Sequence, residues 1–176
     1  ALPAGGVGVV NIDSEAARRY MEQNNYNVVT YGIESKTAHY RAVDVVYSEV
    51  ETRFAVEHNG IKDDNYVTHI LGRGNILNIT AALAVAEAMG VGAEARRRAV
   101  KQIEQVEHRL TMRPQGGITI LDDAYNSNPT GAKMAQEVLH HFARPAAARR
   151  ILVTRGSVKL GVRQAEPHRE LGRDIA

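Results

Sequence analysis

Val7-Gly8-Val9-Val10-Asn11 is an apolar run of strand length, and the residues after it decide the fold. Ser14 has the chemistry of a helix N-cap, and Glu15 to Gln23 then reads as a helix. Val28 to Tyr31 is a second short apolar run. Strand, helix and strand within so few residues make a β-α-β unit, which predicts an α/β fold with crossover helices.

Working outward, the next segment changes character. Tyr40 to Val50 and Thr52 to His58 are rich in Val and Tyr and lack helical periodicity, so they read as paired strands, with Asn59-Gly60 as a turn. Tyr66 to Leu71 reads as a further strand running into a flexible Gly72-Arg73-Gly74 loop. Asn75 is the expected N-cap of a helix from Ile76 to Met89, apolar around most of its circumference and ended by Gly90. A second helix is expected from Ala93 to Val106, with Arg96-Arg97-Arg98 on its solvated side.

The pattern then breaks. Met112 to Gly117 has loop composition, and a domain boundary is expected close to Glu107, dividing the chain into 1–107 and 108–176. Beyond it the α/β rhythm restarts. Ile118 to Leu121 and Arg150 to Thr154 read as strands, the first as a parallel one, and Gly131 to Phe142 and Gln164 to Ile175 as helices.

Composition bounds the chemistry. The chain has 176 residues, 44% of them hydrophobic, so it can bury a core; aromatics are only 5%, which leaves that core to aliphatic side chains. A formal charge of +2 is no footprint of nucleic-acid binding. With no cysteine, disulfides and thiolate metal sites are excluded. There is no run of about 18 apolar residues, so no membrane span is expected, and cytoplasmic residence fits. The start, Ala1-Leu2-Pro3, has no signal-peptide character and no initiator Met, as expected of a piece of a longer chain.

Three places carry candidate chemistry. Asp122-Asp123 ends a strand, where open α/β sheets place ligand-binding groups; a carboxylate there can accept from ribose hydroxyls, although Asp, Asn and Pro equally suit a plain turn. Asn75 and Asn78 share one face of a helix's first turn, after glycines that permit close approach of a ligand; simple capping is the alternative. Arg109, at the domain junction, can stack on a base or meet phosphate, or can be a surface arginine. The seven histidines show no helical zinc spacing, and no metal site is assigned. No G-x-x-x-x-G-K-[ST] loop is present; Gly5-Gly6-Val7-Gly8 lacks the lysine and the hydroxyl.

Taken in order, these places resemble the Mur ligase family. Gly72, Asn75, Asn78 and Ala81-Ala82 are similar to its G-x-H-N-x-x-N-x-x-A-A pattern, and His108-Arg109-Leu110 to its G-R-L junction. Asp123-Ala124-Tyr125-Asn126-Ser127-Asn128-Pro129 resembles the D-x-Y-N-x-N-P loop of the branch that adds D-alanyl-D-alanine. Leu152 to Gly161 with His168 to Gly172 resembles the same branch's G-x-M-x-E-L-G and H-x-x-x-G stretch, and Asn11-Ile12-Asp13 its N-x-D. Gly74 stands where the pattern has His and Lys159 where it has Glu; Arg155 and Ser157 also depart from it.

The resemblance implies part of a Mur ligase central ATPase domain, followed by the first half of a Rossmann-like C-terminal domain. It implies an enzyme of peptidoglycan precursor synthesis that uses ATP and Mg2+ to join D-alanyl-D-alanine to a UDP-linked muramoyl tripeptide through an acyl phosphate. Asn75, Asn78, Arg109, Asp123, Tyr125, Asn126 and Asn128 would then serve the nucleotide, Asn78 at adenine and Asp123 at ribose. The phosphate and metal sites fall outside the resemblance, so the chain alone is expected to be inactive. Folylpolyglutamate and cyanophycin synthetases share the architecture and give an alternative acceptor, although the folate branch usually carries His in the loop. A binding module that merely retains the fold is the non-enzymatic alternative.

Overall fold

The computed structural model describes residues 5–23, 27–142, 149–154, 156–157 and 161–175. The chain forms two compact units, Ala1–His69 with Asn75–Glu104, and Ile70–Gly74 with Gln105–Ala176.

The first unit opens with the expected β-α-β: β1 (Val7–Asn11), α1 (Glu15–Glu22) and β2 (Asn27–Gly32), with β1 and β2 parallel. The Ser14 side chain accepts from the Ala17 N–H, so it caps α1. Asp13, just past β1, accepts from the backbone N–H groups of Ile33, Glu34 and Ser35 at 2.7, 3.2 and 2.9 Å and ties down the loop after β2.

β3 (Tyr40–Tyr47) starts parallel to β2, and β4 (Thr52–His58) and β5 (Ile61–Thr68) continue the sheet antiparallel, in the order β1-β2-β3-β4-β5. Two corrections arise here. β3 stops at Tyr47 rather than Val50, because Ser48 turns the chain through bonds to Glu51. β5 begins at Ile61 rather than Tyr66 and ends at Thr68. The Asn59-Gly60 turn feeds it directly, with His58 facing Ile61. The polar run Lys62-Asp63-Asp64-Asn65 hid this strand, yet Asp63 meets Arg97 at 2.9 Å and so has a reason to be there.

α2 (Arg73–Ala88) and α3 (Ala93–Lys101) complete the unit. α2 starts at Arg73, so Gly72-Arg73-Gly74 is not a free loop and Asn75 lies inside the first turn instead of capping it. Its end is as expected. Gly90 takes φ 80°, the Gly90 N–H reaches the Glu87 carbonyl, and the Val91 N–H reaches that of Ala86.

α3 stops at Lys101, short of Val106. Its arginines are not all outward: Arg96 meets Glu87 at 2.9 Å and Arg97 meets Asp63, while Arg98 pairs along the exposed face with Glu94.

The core lies between one sheet face and the helices. Tyr40, Ala42, Phe54, Val56 and Tyr66 of the strands meet Ile76, Ile79, Leu83 and Ala84 of α2 and Val100 of α3. The strand residues are spaced by two within β3 and β4, and Ile76, Ile79 and Leu83 of α2 by three to four with Ala84 beside them, as each element's geometry requires for a single buried face.

The second unit holds β6 (Thr111–Gln115), β7 (Ile118–Asp122), α4 (Pro129–Phe142), a 3-10 turn at Gly161–Arg163, and α5 (Ala165–Ile175). The expected loop at Met112 to Gly117 is instead a hairpin, with β6 and β7 antiparallel around Gly116-Gly117. Pro114 misled the reading, but a two-stranded ladder has only edges, where proline is tolerated. The partner of β7 is thus antiparallel rather than parallel. Arg150 to Thr154 is not a strand; Ile151 to Thr154 are exposed and carry no ladder.

Candidate functional site

The second unit builds its candidate site on the junction turn His108-Arg109-Leu110 and the loop that follows β7. Arg109 is exposed, and its guanidinium carbon lies 4.3 Å from the centre of the Tyr125 ring, a cation–π arrangement. Tyr125 is 64% exposed, so this stack presents an open aromatic face. The Tyr125 N–H donates to the His108 carbonyl at 3.1 Å, which seats the ring beside the turn.

Asp123 is bonded to the same turn. Its Oδ1 accepts from the Leu110 N–H at 3.2 Å. Burial pushes its carboxyl above the ordinary range, opposed by that N–H and by the charge of Arg109. Asp122 is the opposite case. The His108 ring beside it, 2.8 Å from Nδ1 to Oδ2, and the Ala124 N–H hold its carboxyl below the usual value.

Asn126 and Asn128 are both exposed. Asn128 caps α4: its Oδ1 accepts from the Gly131 N–H at 2.9 Å, its carbonyl accepts from the Ala132 N–H, and Pro129 takes the first helical position. Arg109, Asp123 and Tyr125 therefore form one cluster, while Asn128 serves the helix behind it.

Asn75 and Asn78 belong to the first unit, one turn apart on α2, Asn75 half-buried and Asn78 exposed. Gly74 has a physical reason in its own unit, because a Cβ there would stand 2.7 Å from the Met134 sulfur of α4. A histidine at position 74 would require Met134 to move. Ser157 is buried; Arg155 and Lys159 lie outside the described residues.

The sequence reading missed two residues that shape the cluster. His108 enters the sequence reading as the first residue of the junction motif and as one of the histidines without zinc spacing, with no role of its own, yet its ring holds Asp122. Gln105 donates through Nε2 to the carbonyls of Arg109 and Leu110, at 2.9 and 3.4 Å. A signal existed for the first, since His108 replaces the glycine of the G-R-L pattern. None existed for Gln105.

The cluster suits a nucleoside, with an aromatic-cation platform for a base and a carboxylate for hydroxyls. It offers no phosphate cradle, and among the described residues no group of His, Asp and Glu side chains is arranged to hold a metal ion.

Fold and site together define an α/β chain with an Arg109, Tyr125 and Asp123 cluster in its second unit. Residues 1–86 match the family model of the Mur ligase middle domain. UDP-N-acetylmuramate–L-alanine ligase of Hydrogenobaculum sp. (strain Y04AAS1) is 30% identical over 138 residues, 78% of this chain and 30% of its own. UDP-N-acetylmuramoyl-tripeptide–D-alanyl-D-alanine ligase of Bacillus subtilis (strain 168) is 29% identical over 157 residues, 88% of this chain and 33% of its own.

In fold, the chain is similar to MurF of Acinetobacter baumannii, with a TM-score of 0.83 at 23% identity over 97% of this chain and 36% of that one. It is also similar to the MurF ligase of Thermotoga maritima in complex with ADP, with a TM-score of 0.75 at 22% identity over 97% and 38%. The chain is similar to the Mur ligases in sequence and shares the α/β fold of their solved structures. It spans about a third of the length of the curated relatives it matches. No helix among the described residues is long and apolar enough to cross a membrane.

Proposed function

We propose that the chain is part of an ATP-dependent amide ligase of peptidoglycan precursor synthesis, with residues 1–107 from the central domain and 108–176 from the C-terminal domain. The observation that carries this reading is the Arg109–Tyr125 stack with Asp123 bonded to the same turn, in a chain similar to the Mur ligases. Arg109 and Tyr125 offer a surface for the base, and Asp123 accepts from ribose hydroxyls. Asn75 and Asn78, in the first unit, are proposed to serve adenine on the resemblance of their motif alone, and Asn126 faces solvent on the same loop as Tyr125.

ATP and Mg2+ would act at phosphate and metal groups that are not found among the described residues, so no chemical step is derived through them. The proposed substrates are a UDP-linked muramoyl tripeptide and D-alanyl-D-alanine, on the strength of the Tyr125-Asn126-Ser127-Asn128-Pro129 loop. A second reading keeps the chemistry and changes the acceptor to L-alanine, because relatives at 30–32% identity carry that name.

Calorimetry with ATP tests the nucleotide site. Arg109→Ala and Asp123→Ala should each weaken binding, Arg109→Ala by about fivefold for an exposed cation–π contact. Unchanged affinity in both variants would sink the assignment. The 176-residue chain should show no ATP turnover above a no-enzyme control. Assays of the full-length ligase with each acceptor decide between D-alanyl-D-alanine and L-alanine.

A further inference from the structure

We propose that His108 is a positioning residue whose imidazole, hydrogen-bonded to Asp122, locks the left-handed junction turn that sets Arg109 against Tyr125. Its functional consequence rests on the nucleotide reading above; the structural claim does not.

The backbone poses the problem. His108 has φ 61° and Leu110 has φ 51°, both in the left-handed region that L residues rarely adopt. In the G-R-L pattern this turn resembles, the first of these positions is glycine, which enters that region freely. A histidine there needs something to hold it.

The structure supplies the hold from several sides. The His108 carbonyl accepts from the Tyr125 N–H, and Gln105 closes on the Arg109 carbonyl. The ring itself is tied: His108 Nδ1 lies 2.8 Å from Asp122 Oδ2, while Oδ1 of the same carboxylate accepts from the Ala124 N–H at 3.1 Å. Asp122 thus joins the turn to the residue before Tyr125. The other charged groups facing the ring are Glu107, 3.9 Å from Nε2, and Arg113 of β6, which meets Glu107 at 3.0 Å and Asp122 at 3.9 Å.

A carboxylate only accepts hydrogen bonds, so Nδ1 must carry the proton. It does so both in the imidazolium and in the Nδ1–H neutral tautomer. The clamp therefore needs no charge on the ring, and it weakens when Asp122 is protonated, because a neutral carboxyl group is a poorer acceptor than a carboxylate.

Amide hydrogen exchange at Tyr125 and Leu110, followed by NMR in the whole chain, tests this. His108→Gly should exchange within about twofold of the parent, because glycine needs no clamp. His108→Ala, with the strain kept and the clamp gone, should exchange faster by about three- to fivefold, a free-energy change of the size expected for one exposed ionic contact. Asp122→Ala should accelerate exchange about two- to fivefold more in the His108 chain than in the His108→Gly chain.

The ring gives an independent signature. Its nitrogen shifts should place the neutral proton on Nδ1 in the parent and on Nε2 in Asp122→Ala. Equal effects of Asp122→Ala in both backgrounds, or an Nδ1 proton retained without Asp122, overturn the proposal. Should His108→Ala fail to fold, the glycine cycle and the ring signature still decide. Failure of ATP to bind would count against the nucleotide reading alone, since neither measurement contains a nucleotide.

Discussion

Asp123 shows how one side chain can be held at a cost. Burial raises its carboxyl above the ordinary range, and the Leu110 N–H and Arg109 only partly offset this. A group whose folded pKa lies above its unfolded value contributes stability below the unfolded pKa and loses it as pH rises through the folded one. At neutral pH a charged Asp123 is therefore a local liability. Asp123→Asn keeps an oxygen for Leu110 and removes the buried charge. At pH 7 its unfolding midpoint should rise by about 1–3 °C, and the advantage should vanish below about pH 4, where the parent carboxyl is neutral. Thermal unfolding at both pH values checks this; a midpoint at pH 7 below that of the parent would falsify it.

At the scale of elements, the β4–β5 hairpin turns on two residues. Asn59 and Gly60 have φ 50° and 74°, the pair of left-handed conformations of a type I′ turn, whose twist matches that of the strands. A Cβ at Gly60 would meet nothing within 4 Å, so a substitution there is penalised by conformation alone. Gly60→Ala should cost about 1 kcal/mol of stability, the scale of the left-handed penalty, and Asn59→Ala a smaller part of that because Asn already bears some of it. Urea unfolding with an unchanged slope measures the difference; a Gly60→Ala chain as stable as the parent would refute the turn geometry.

This hairpin also marks where the sequence was readable and where it was not. The Asn59-Gly60 dipeptide announced the turn, but the strand after it was read five residues late, because Lys62 to Asn65 lack an apolar alternation. Their reason is tertiary: Asp63 is held by Arg97 of α3, a residue remote in the chain. The β6–β7 hairpin was lost for a related reason, a Pro-Gly-Gly composition that suits a loop and an edge ladder equally. Within the candidate site, Arg109, Asp123 and Tyr125 were legible through their order along the chain. The His108–Asp122 bond was not, because it joins residues 14 apart through backbone torsions that no composition reveals.

At the scale of the whole molecule, each unit must close its own core, and in the first unit a polar chain runs along the edge of that core. Tyr40 of β3 is buried and stacks on His58 of β4 with ring centres 3.8 Å apart. Its hydroxyl feels the Glu87 carboxylate near the end of α2, and Glu87 in turn meets Arg96 of α3 at 2.9 Å. One tyrosine thereby links two strands to both helices. Burial first, and then the Glu87 carboxylate, push its phenol up to about 12. The sign follows directly. The folded state prefers the neutral phenol, so this stability is complete below the ordinary pKa near 10 and is lost as pH rises through about 12. Ionisation would place a second negative charge against Glu87 inside the contact that joins sheet and helices. The first unit should therefore lose stability between about pH 10 and pH 12. Tyr40→Phe keeps the ring and the stack, removes this titrating group, and should reduce that alkaline decline, leaving the share of Tyr31 and Tyr66, whose phenols burial also raises, while lowering stability at pH 7 by about 1 kcal/mol for the lost polar contact. Denaturant unfolding of both chains across this range, read beside tyrosinate absorbance, measures the two slopes. Parallel curves would show that another group governs the alkaline limit.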